Sequence, residues 1–199
     1  ICDWDSIQNE RALIAELSTN QPDKNAASPF ALLSLEDAPN RHRLPSENYA
    51  KARYAQKPLP LPAKPSKKPT GIRIGYFSAD FKEHPVAYLL AKVFEQHNRD
   101  KFEIFGYSLQ GNTEDELQKR LIKSFDHFND VSEMSDKDVA LISRQDKIDI
   151  AVDLNGYTQN SRSGVFAYRA APMQINFLGY PGTMGAEFID YIIADQHLI

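Results

Sequence analysis

From residue 71 onward, short apolar runs alternate with segments that have the spacing of amphipathic helices. The predicted strands are 71–78, 102–109, 125–131, 148–154, 174–179 and 189–194, and the predicted helices between them are 85–97, 114–124, 136–145 and 162–169. Strands that alternate with helices through short loops indicate a parallel sheet with right-handed crossovers. The sequence therefore predicts an α/β domain with a doubly wound parallel sheet.

Three of the predicted strands, the first, fourth and fifth, end in loops rich in polar residues and glycine. If these strands are neighbours, their loops meet at the carboxyl edge of the sheet, where open α/β sheets bind ligands. The residues expected near one crevice are Asp80, His84, Asn155, Tyr157, Thr158 and Arg162, with Gly179, Gly182 and Gly185 in the third loop.

The polar residues of these loops each permit two interpretations. His84 follows Asp80 by four residues, and it either exchanges or donates a proton near neutral pH or only starts a helix. In the same way, Tyr157 faces a ligand or packs in the core, and Arg162 binds a ligand or forms a surface ion pair. Glycines at every third position indicate either a close backbone approach to a ligand or a tight turn.

The first part of the chain has a different pattern. Residues 1–56 predict a small helical segment, with helices over 5–18 and 47–56, the second capped by Ser46. Residues 57–70 contain five prolines and four lysines, a composition typical of a semi-rigid linker. The predicted organisation is thus a helical segment (1–56), a linker (57–70) and the α/β domain (71–199).

Composition and charge exclude several classes of protein. A net charge of −4 provides no basic face for nucleic acid. No apolar run reaches the ~18 residues of a membrane span, and the single Cys2 fits a reducing cytoplasm. The chain starts at Ile1 without an initiator Met and stops just after a strand-like run, so we expect it to be a piece of a longer protein.

Four stretches resemble the protein O-linked N-acetylglucosamine transferases, including the SPINDLY-type plant enzymes and their bacterial relatives. They are CDWD at residues 2–5, SADFKEHPVAYLL at 78–90, VDLNGYTQNSR at 152–162 and FAYRAAPMQINFLGYPGTMGAEFIDYIIAD at 166–195. The resemblance covers only the first half of that family's catalytic region. It implies that tandem helical repeats and a second nucleotide-binding domain accompany this region in the complete enzymes.

The resemblance implies a Rossmann-like fold, the N-terminal half of a GT-B glycosyltransferase, and a role for each candidate residue. Asp80 and His84 match residues beside the sugar and the acceptor hydroxyl, and they are the expected catalytic pair. The expected substrate-binding residues are Tyr157, Thr158 and Arg162 on the sugar and acceptor side, with Leu178, Gly179 and Pro181 lining the donor-sugar pocket.

No metal or other cofactor is expected, because the resembled family needs none. Two Asp-x-Asp pairs, at residues 3–5 and 136–138, have the spacing that binds a metal in other glycosyltransferases. Both lie at predicted helix starts, where carboxylates interact favourably with the helix dipole. The sequence favours this capping role over metal binding.

The preferred function is inverting transfer of N-acetylglucosamine from UDP-N-acetylglucosamine to Ser or Thr hydroxyls of proteins. The chain alone is expected to turn over little, since donors to the diphosphate come mainly from the second domain in that family. Two alternatives remain open at this point. One is a noncatalytic α/β binding module, and the other is a related transferase that uses another sugar or an Asn acceptor.

Overall fold

The computed structural model describes Ser6 and residues 28–35, 38–62 and 71–196. The chain forms two compact units. The first contains the chain up to Ala55 together with Pro181–Glu187, and the second contains Gln56–Tyr180 and the chain from Phe188 onward. The predicted helix over 5–18 lies outside the described residues, apart from Ser6.

The described helices of the first unit are α1 (Pro29–Leu35) and α2 (Pro39–Arg53). The second unit alternates strands and helices along the chain. Its elements are β1 (Ile72–Ser78), α3 (Pro85–Gln96), β2 (Phe102–Ser108), α4 (Glu116–Ser124), β3 (His127–Asp130), α5 (Asp136–Gln145), β4 (Ile150–Asp153), α6 (Gly164–Ala167), β5 (Met173–Phe177) and β6 (Tyr191–Ile193).

The six strands form one sheet in the order β3-β2-β1-β4-β5-β6, and every neighbouring pair is parallel. The predicted α/β fold class is therefore confirmed. Successive strands extend to one side of β1 as far as β3, and the chain then returns to place β4 on its other side. This reversal creates a topological switch point between the carboxyl ends of β1 and β4, the place where open α/β sheets hold ligands.

Side chains alternate between the two faces of the sheet along each strand, and both faces of the central strands are buried. On β1, Ile74 packs into one apolar cluster with Leu90 and Phe94 of α3. Phe77 points to the other face and stacks on Tyr107 of β2, with ring centroids 4.5 Å apart. Each such buried side chain contributes about 1.5–3 kcal/mol, so the central strands are held rigidly from both sides.

Polar side chains at the helix starts fix where several helices begin. The Ser135 hydroxyl accepts the Asp138 N–H at 3.2 Å and so caps α5. Asp136 and Asp138 both lie in the first turn of that helix, which confirms the predicted helix-start position of this Asp-x-Asp pair. The other pair, at residues 3–5, lies outside the described residues.

The predicted helix start at Ser46 is wrong. Helix α2 runs through Pro45, which lies inside it, and the Ser46 hydroxyl donates to the His42 carbonyl at 2.9 Å instead of capping a new helix. An internal proline costs ~3 kcal/mol in an isolated helix. Here Pro45 and Ser46 are buried, and Gly185 packs directly against Ser46, so tertiary packing overrides the local preference.

The described part of the predicted linker lies along the surface of the second unit. Residues 57–62 have no regular secondary structure, but the Leu59 N–H donates to the Tyr168 carbonyl at 2.9 Å. The Leu59 side chain packs against the core cluster, and Arg144 donates to the Pro60 carbonyl. Residues 63–70 are not among those described. Across the described residues, none of the helices combines the length and apolar character needed to cross a bilayer.

Candidate active site

Asn155 joins the ends of β1 and β4 across the switch point. Its side-chain oxygen accepts the Ala79 N–H at 2.8 Å, and its side-chain nitrogen donates to Asp80 Oδ2 at 2.7 Å. A backbone N–H can only donate, so the amide oxygen must face Ala79 and the NH₂ group must face Asp80. Asn155 is almost fully buried, and it therefore holds the Asp80 carboxylate in one orientation.

His84 caps helix α3 and also faces Asp80. Its Nδ1 accepts the Val86 N–H at 3.3 Å, which satisfies one of the free N–H groups of the first helical turn. Its Nε2 lies 3.8 Å from Asp80 Oδ1, and its side chain is 38% exposed. The structure thus brings the two predicted catalytic residues together, with His84 open to solvent and Asp80 largely enclosed.

A buried carboxylate shapes the turn that presents Asn155. Asp153 ends β4, and its Oδ1 accepts the N–H groups of Asn155 at 2.9 Å and Gly156 at 3.0 Å. Gly156 adopts a φ of 58°, a left-handed conformation that glycine tolerates readily. Asp153 Oδ2 and the Oδ1 of its neighbour Asn176 on β5 are both buried without a hydrogen-bond partner among the described residues.

Burial raises the pKa of the Asp153 carboxyl to about 6 from an ordinary value of 3.8. The folded protein therefore binds this proton more tightly than the unfolded chain does. The resulting destabilisation is absent below about pH 3.8 and is complete above about pH 6. A difference of about two pKa units corresponds to ~3 kcal/mol at neutral pH.

We expect Asp153→Asn to raise the free energy of unfolding at pH 7. The amide oxygen keeps both backbone hydrogen bonds, and the neutral amide removes the cost of burying a charge at this position. Urea unfolding of both proteins at pH 4 and pH 7 measures the effect. The gain should be ~1–3 kcal/mol at pH 7 and close to zero at pH 4; an equal loss at both pH values would contradict the burial argument.

The loop after β5 lies directly against the end of β4. A Cβ atom on Gly179 would stand 1.7 Å from the Leu154 carbonyl oxygen, so only glycine fits there. Next to it, Leu178 is 40% exposed and has a φ of 66°, which is strained for a branched side chain. The loops after β1, β4 and β5 therefore meet at one edge of the sheet.

Two further predicted residues follow β4. Tyr157 is buried and packs edge-to-face on Tyr180, with ring centroids 5.5 Å apart. The Thr158 hydroxyl donates to the Asn155 carbonyl at 3.0 Å. Both side chains thus brace the loop that carries Asn155. Pro181, also predicted from the sequence, belongs to the first unit, where it is exposed.

Arg162 is engaged by the protein itself. Its guanidinium forms an ion pair with Asp136 at 2.8 Å and donates to the carbonyls of Val131 and Met134. These contacts tie the loop after β4 to the loop after β3. A direct role of Arg162 in substrate binding stays a prediction.

Asn155 and Asp153 make more of the hydrogen bonds that hold this site together than their sequence positions indicate. Asn155 is recognisable as a polar residue directly after an apolar strand, but its partners Ala79 and Asp80 are about 75 positions away in sequence. The local sequence indicates only that Asp153 is a carboxylate at the end of a strand. Its burial depends on β5, which lies beside it in the sheet.

An open cavity of about 670 Å³ lies at the opposite, amino edge of the sheet. Its walls carry ion pairs between Arg73 and Glu103 and between Arg99 and Asp126. These charges satisfy one another, and none of the predicted site residues lines this cavity. Within the described ranges, no group of three His, Cys, Asp or Glu side chains is arranged to hold a metal ion.

A six-stranded parallel sheet in this order, with polar side chains gathered at its switch point, defines a Rossmann-like α/β domain. The sequence model of glycosyl transferase family 41 matches residues 49–198, and the chain belongs to this family. The resemblance read from its motifs is thereby confirmed.

Named relatives and a solved structure agree with this assignment. The chain is 44% identical over 139 residues to the probable UDP-N-acetylglucosamine–peptide N-acetylglucosaminyltransferase SEC of Arabidopsis thaliana, covering 70% of the chain and 14% of the relative. It is 41% identical over 126 residues to the corresponding Caenorhabditis elegans transferase, covering 62% of the chain and 11% of the relative. A mutant O-GlcNAc transferase of Thermobaculum terrenum superposes with a TM-score of 0.75 at 34% identity, covering 85% of this chain and 34% of that one.

Proposed function

We propose that this chain is part of a glycosyltransferase that moves N-acetylglucosamine from UDP-N-acetylglucosamine to Ser or Thr hydroxyls of proteins. Membership of family 41 and the printed activities of its relatives support this. The observation that carries the proposal within the chain is the Asp80–Asn155 bridge at the switch point, with His84 beside it.

The reaction would invert the configuration at the sugar. The acceptor hydroxyl attacks the anomeric carbon, and the bond to the diphosphate breaks as UDP leaves. In this arrangement Asp80 and His84 serve the sugar and the acceptor, and Leu178 offers an exposed apolar surface on the loop after β5. No metal or other cofactor takes part, and UDP-N-acetylglucosamine is a substrate.

The chain spans only 14% of the first of these relatives and 34% of the solved structure. We therefore assign to it the sugar and acceptor contacts and assign the nucleotide to a second domain. Charge that develops on the departing diphosphate needs donors aimed at it, and these would come from that domain. The resemblance further supports tandem helical repeats and a cytoplasmic location for the full natural protein.

Incubating the full natural protein with UDP-N-acetylglucosamine and a Ser/Thr-rich acceptor protein tests this function. We expect UDP release together with the mass of one or more N-acetylhexosamine units on acceptor hydroxyls. UDP-glucose, UDP-galactose and GDP-fucose serve as competing donors. Transfer from another donor only, or modification of Asn, would contradict the assigned substrates, and no transfer from any donor would favour a noncatalytic module.

A further inference from the structure

The turn after β4 contains a chemically labile pair of residues, Asn155 followed by Gly156. This Asn-Gly order occurs once in the 199 residues. Asparagine is a thermolabile residue, because the backbone nitrogen of the next residue can attack its side-chain carbon and expel ammonia. Glycine presents that nitrogen without a side chain in the way. The sequence most prone to this reaction thus lies where Asn155 bridges β1 and β4.

The fold holds the peptide group between these two residues at both of its polar ends. The Gly156 N–H, which carries the attacking nitrogen, donates to Asp153 Oδ1 at 3.0 Å. The Asn155 carbonyl accepts the Thr158 hydroxyl, also at 3.0 Å. A carboxylate beside an N–H group opposes the loss of its proton, and that loss is the step that makes the nitrogen a nucleophile. Asp153 therefore keeps the Gly156 nitrogen unreactive in the folded protein.

The side-chain amide of Asn155 is held as firmly as the peptide group. Its oxygen accepts the Ala79 N–H at 2.8 Å, and its nitrogen, the leaving group of the reaction, donates to Asp80 at 2.7 Å. The residue is only 1% exposed, so water has little access to it. Bringing the Gly156 nitrogen into bonding contact with this side chain would break these hydrogen bonds together.

We propose that Asn155 is a deamidation site that is protected in the folded protein and reactive in the unfolded chain. In the unfolded chain the Gly156 nitrogen gives up its proton and forms a bond to the side-chain carbon of Asn155. The carbon–nitrogen bond of the amide breaks, and the nitrogen takes up a proton and leaves as ammonia. Water then opens the resulting succinimide ring at either carbonyl carbon, which leaves aspartate or isoaspartate at this position.

Either product prevents the turn from forming again as it was. Aspartate lacks the NH₂ donor and would place a carboxylate oxygen 2.7 Å from Asp80 Oδ2, where two negative charges repel each other. Isoaspartate lengthens the backbone of the turn by one methylene group, so the hydrogen bonds to Asp153 and Ala79 could not form together. Unfolding at alkaline pH therefore damages the candidate site permanently.

Alkaline incubation of the full natural protein, in urea and in native buffer, tests the proposal through trypsin digestion and tandem mass spectrometry. The tryptic fragment 148–162 contains both Asn155 and Asn160, so one peptide reports on both residues. Asn160 is the internal control, because it is exposed in the folded protein and is followed by serine. We expect folding to slow deamidation of Asn155 by about 10²-fold or more, since opening this turn requires a large part of the unfolding free energy. The rate at Asn160 should change far less.

Two substitutions complete the test. Gly156→Ala, compared with the wild type in urea, should slow the loss of ammonia from Asn155, because a methyl group hinders attack by the backbone nitrogen. Asn155→Asp reproduces one product of the reaction and should unfold at a lower urea concentration than the wild type at neutral pH. Equal rates of deamidation at Asn155 in native buffer and in urea, or no deamidation in either, would overturn the proposal. An unchanged unfolding midpoint for Asn155→Asp would overturn the predicted damage to the turn.

Discussion

Gly179→Ala should lower the free energy of unfolding by more than ~4 kcal/mol, a large part of the stability of an ordinary protein. The added methyl group would stand 1.7 Å from the carbonyl oxygen of Leu154 and 2.8 Å from its carbonyl carbon. Both atoms are backbone, so no side-chain rotation relieves the overlap. The loop after β5 would have to leave the end of β4, and the candidate site would lose one of its three loops. Urea unfolding followed by circular dichroism measures the effect.

Gly111→Ala is the matched control, because it makes the same chemical change in an exposed loop of the same unit. Its added methyl group meets only the Ser132 hydroxyl, at an ordinary 3.7 Å. We expect a change within about 0.5 kcal/mol. If Gly179→Ala were as stable as this control, the close approach of the two loops would be wrong.

The alternation of strands and helices made most of the second unit predictable. Each strand of a sheet covered on both faces is nearly continuous in apolar residues, and the run at Ile72–Ser78 shows that pattern without any tertiary information. The predicted bounds of α5 are exact, because Ser135 is a recognisable cap. Other strand and helix bounds move by one or two residues, as element ends commonly do.

The helix through Pro45 shows what local rules miss. Proline normally ends a helix because it lacks an N–H group, so the sequence indicated a new helix from Ser46. Pro45 and Ser46 are instead buried within α2, and Ser46 packs against Gly185, about 140 positions later in the chain. No local sequence pattern predicts the contact between Ser46 and Gly185.

The glycine-rich loop is one motif in the sequence, but its glycines pack in two different units. Gly179 packs on the end of β4 in the second unit. Gly185, with a φ of 55°, packs on Ser46 and Glu47 of α2 in the first unit. Spacing alone predicted close backbone approaches and could not say which surfaces the glycines approach, since those surfaces are distant in sequence.

The predicted catalytic pair, Asp80 and His84, was foreseeable in its position but not in its contacts. The four-residue spacing placed Asp80 and His84 on the loop after β1, and the structure brings them within 3.8 Å. Two contacts that orient these side chains are invisible in sequence. Asn155 reaches Asp80 from β4, and the Val86 N–H occupies one nitrogen of His84.

Asp80→Asn should lower transfer by ~10²–10⁴-fold, the usual contribution of a positioned acid–base group. Asn155 requires an oxygen at the Oδ2 position, so the new NH₂ group must replace Oδ1 and face His84 Nε2. The carboxylate expected beside the acceptor hydroxyl is then lost with little change in shape. Asp130→Asn is the matched control, because Asp130 ends strand β3 at the same carboxyl edge of the sheet and is exposed.

The most direct test of the central claim is to measure transfer rate and UDP affinity together in the Asp80→Asn variant of the full natural protein. We predict a loss of turnover with unchanged affinity for UDP, while Asp130→Asn keeps both at the wild-type level. Such a pattern marks a group that acts in the transition state and not in uniform binding. Wild-type transfer by Asp80→Asn, or a parallel loss of turnover and UDP affinity, would contradict the assignment of this crevice to the sugar and its acceptor.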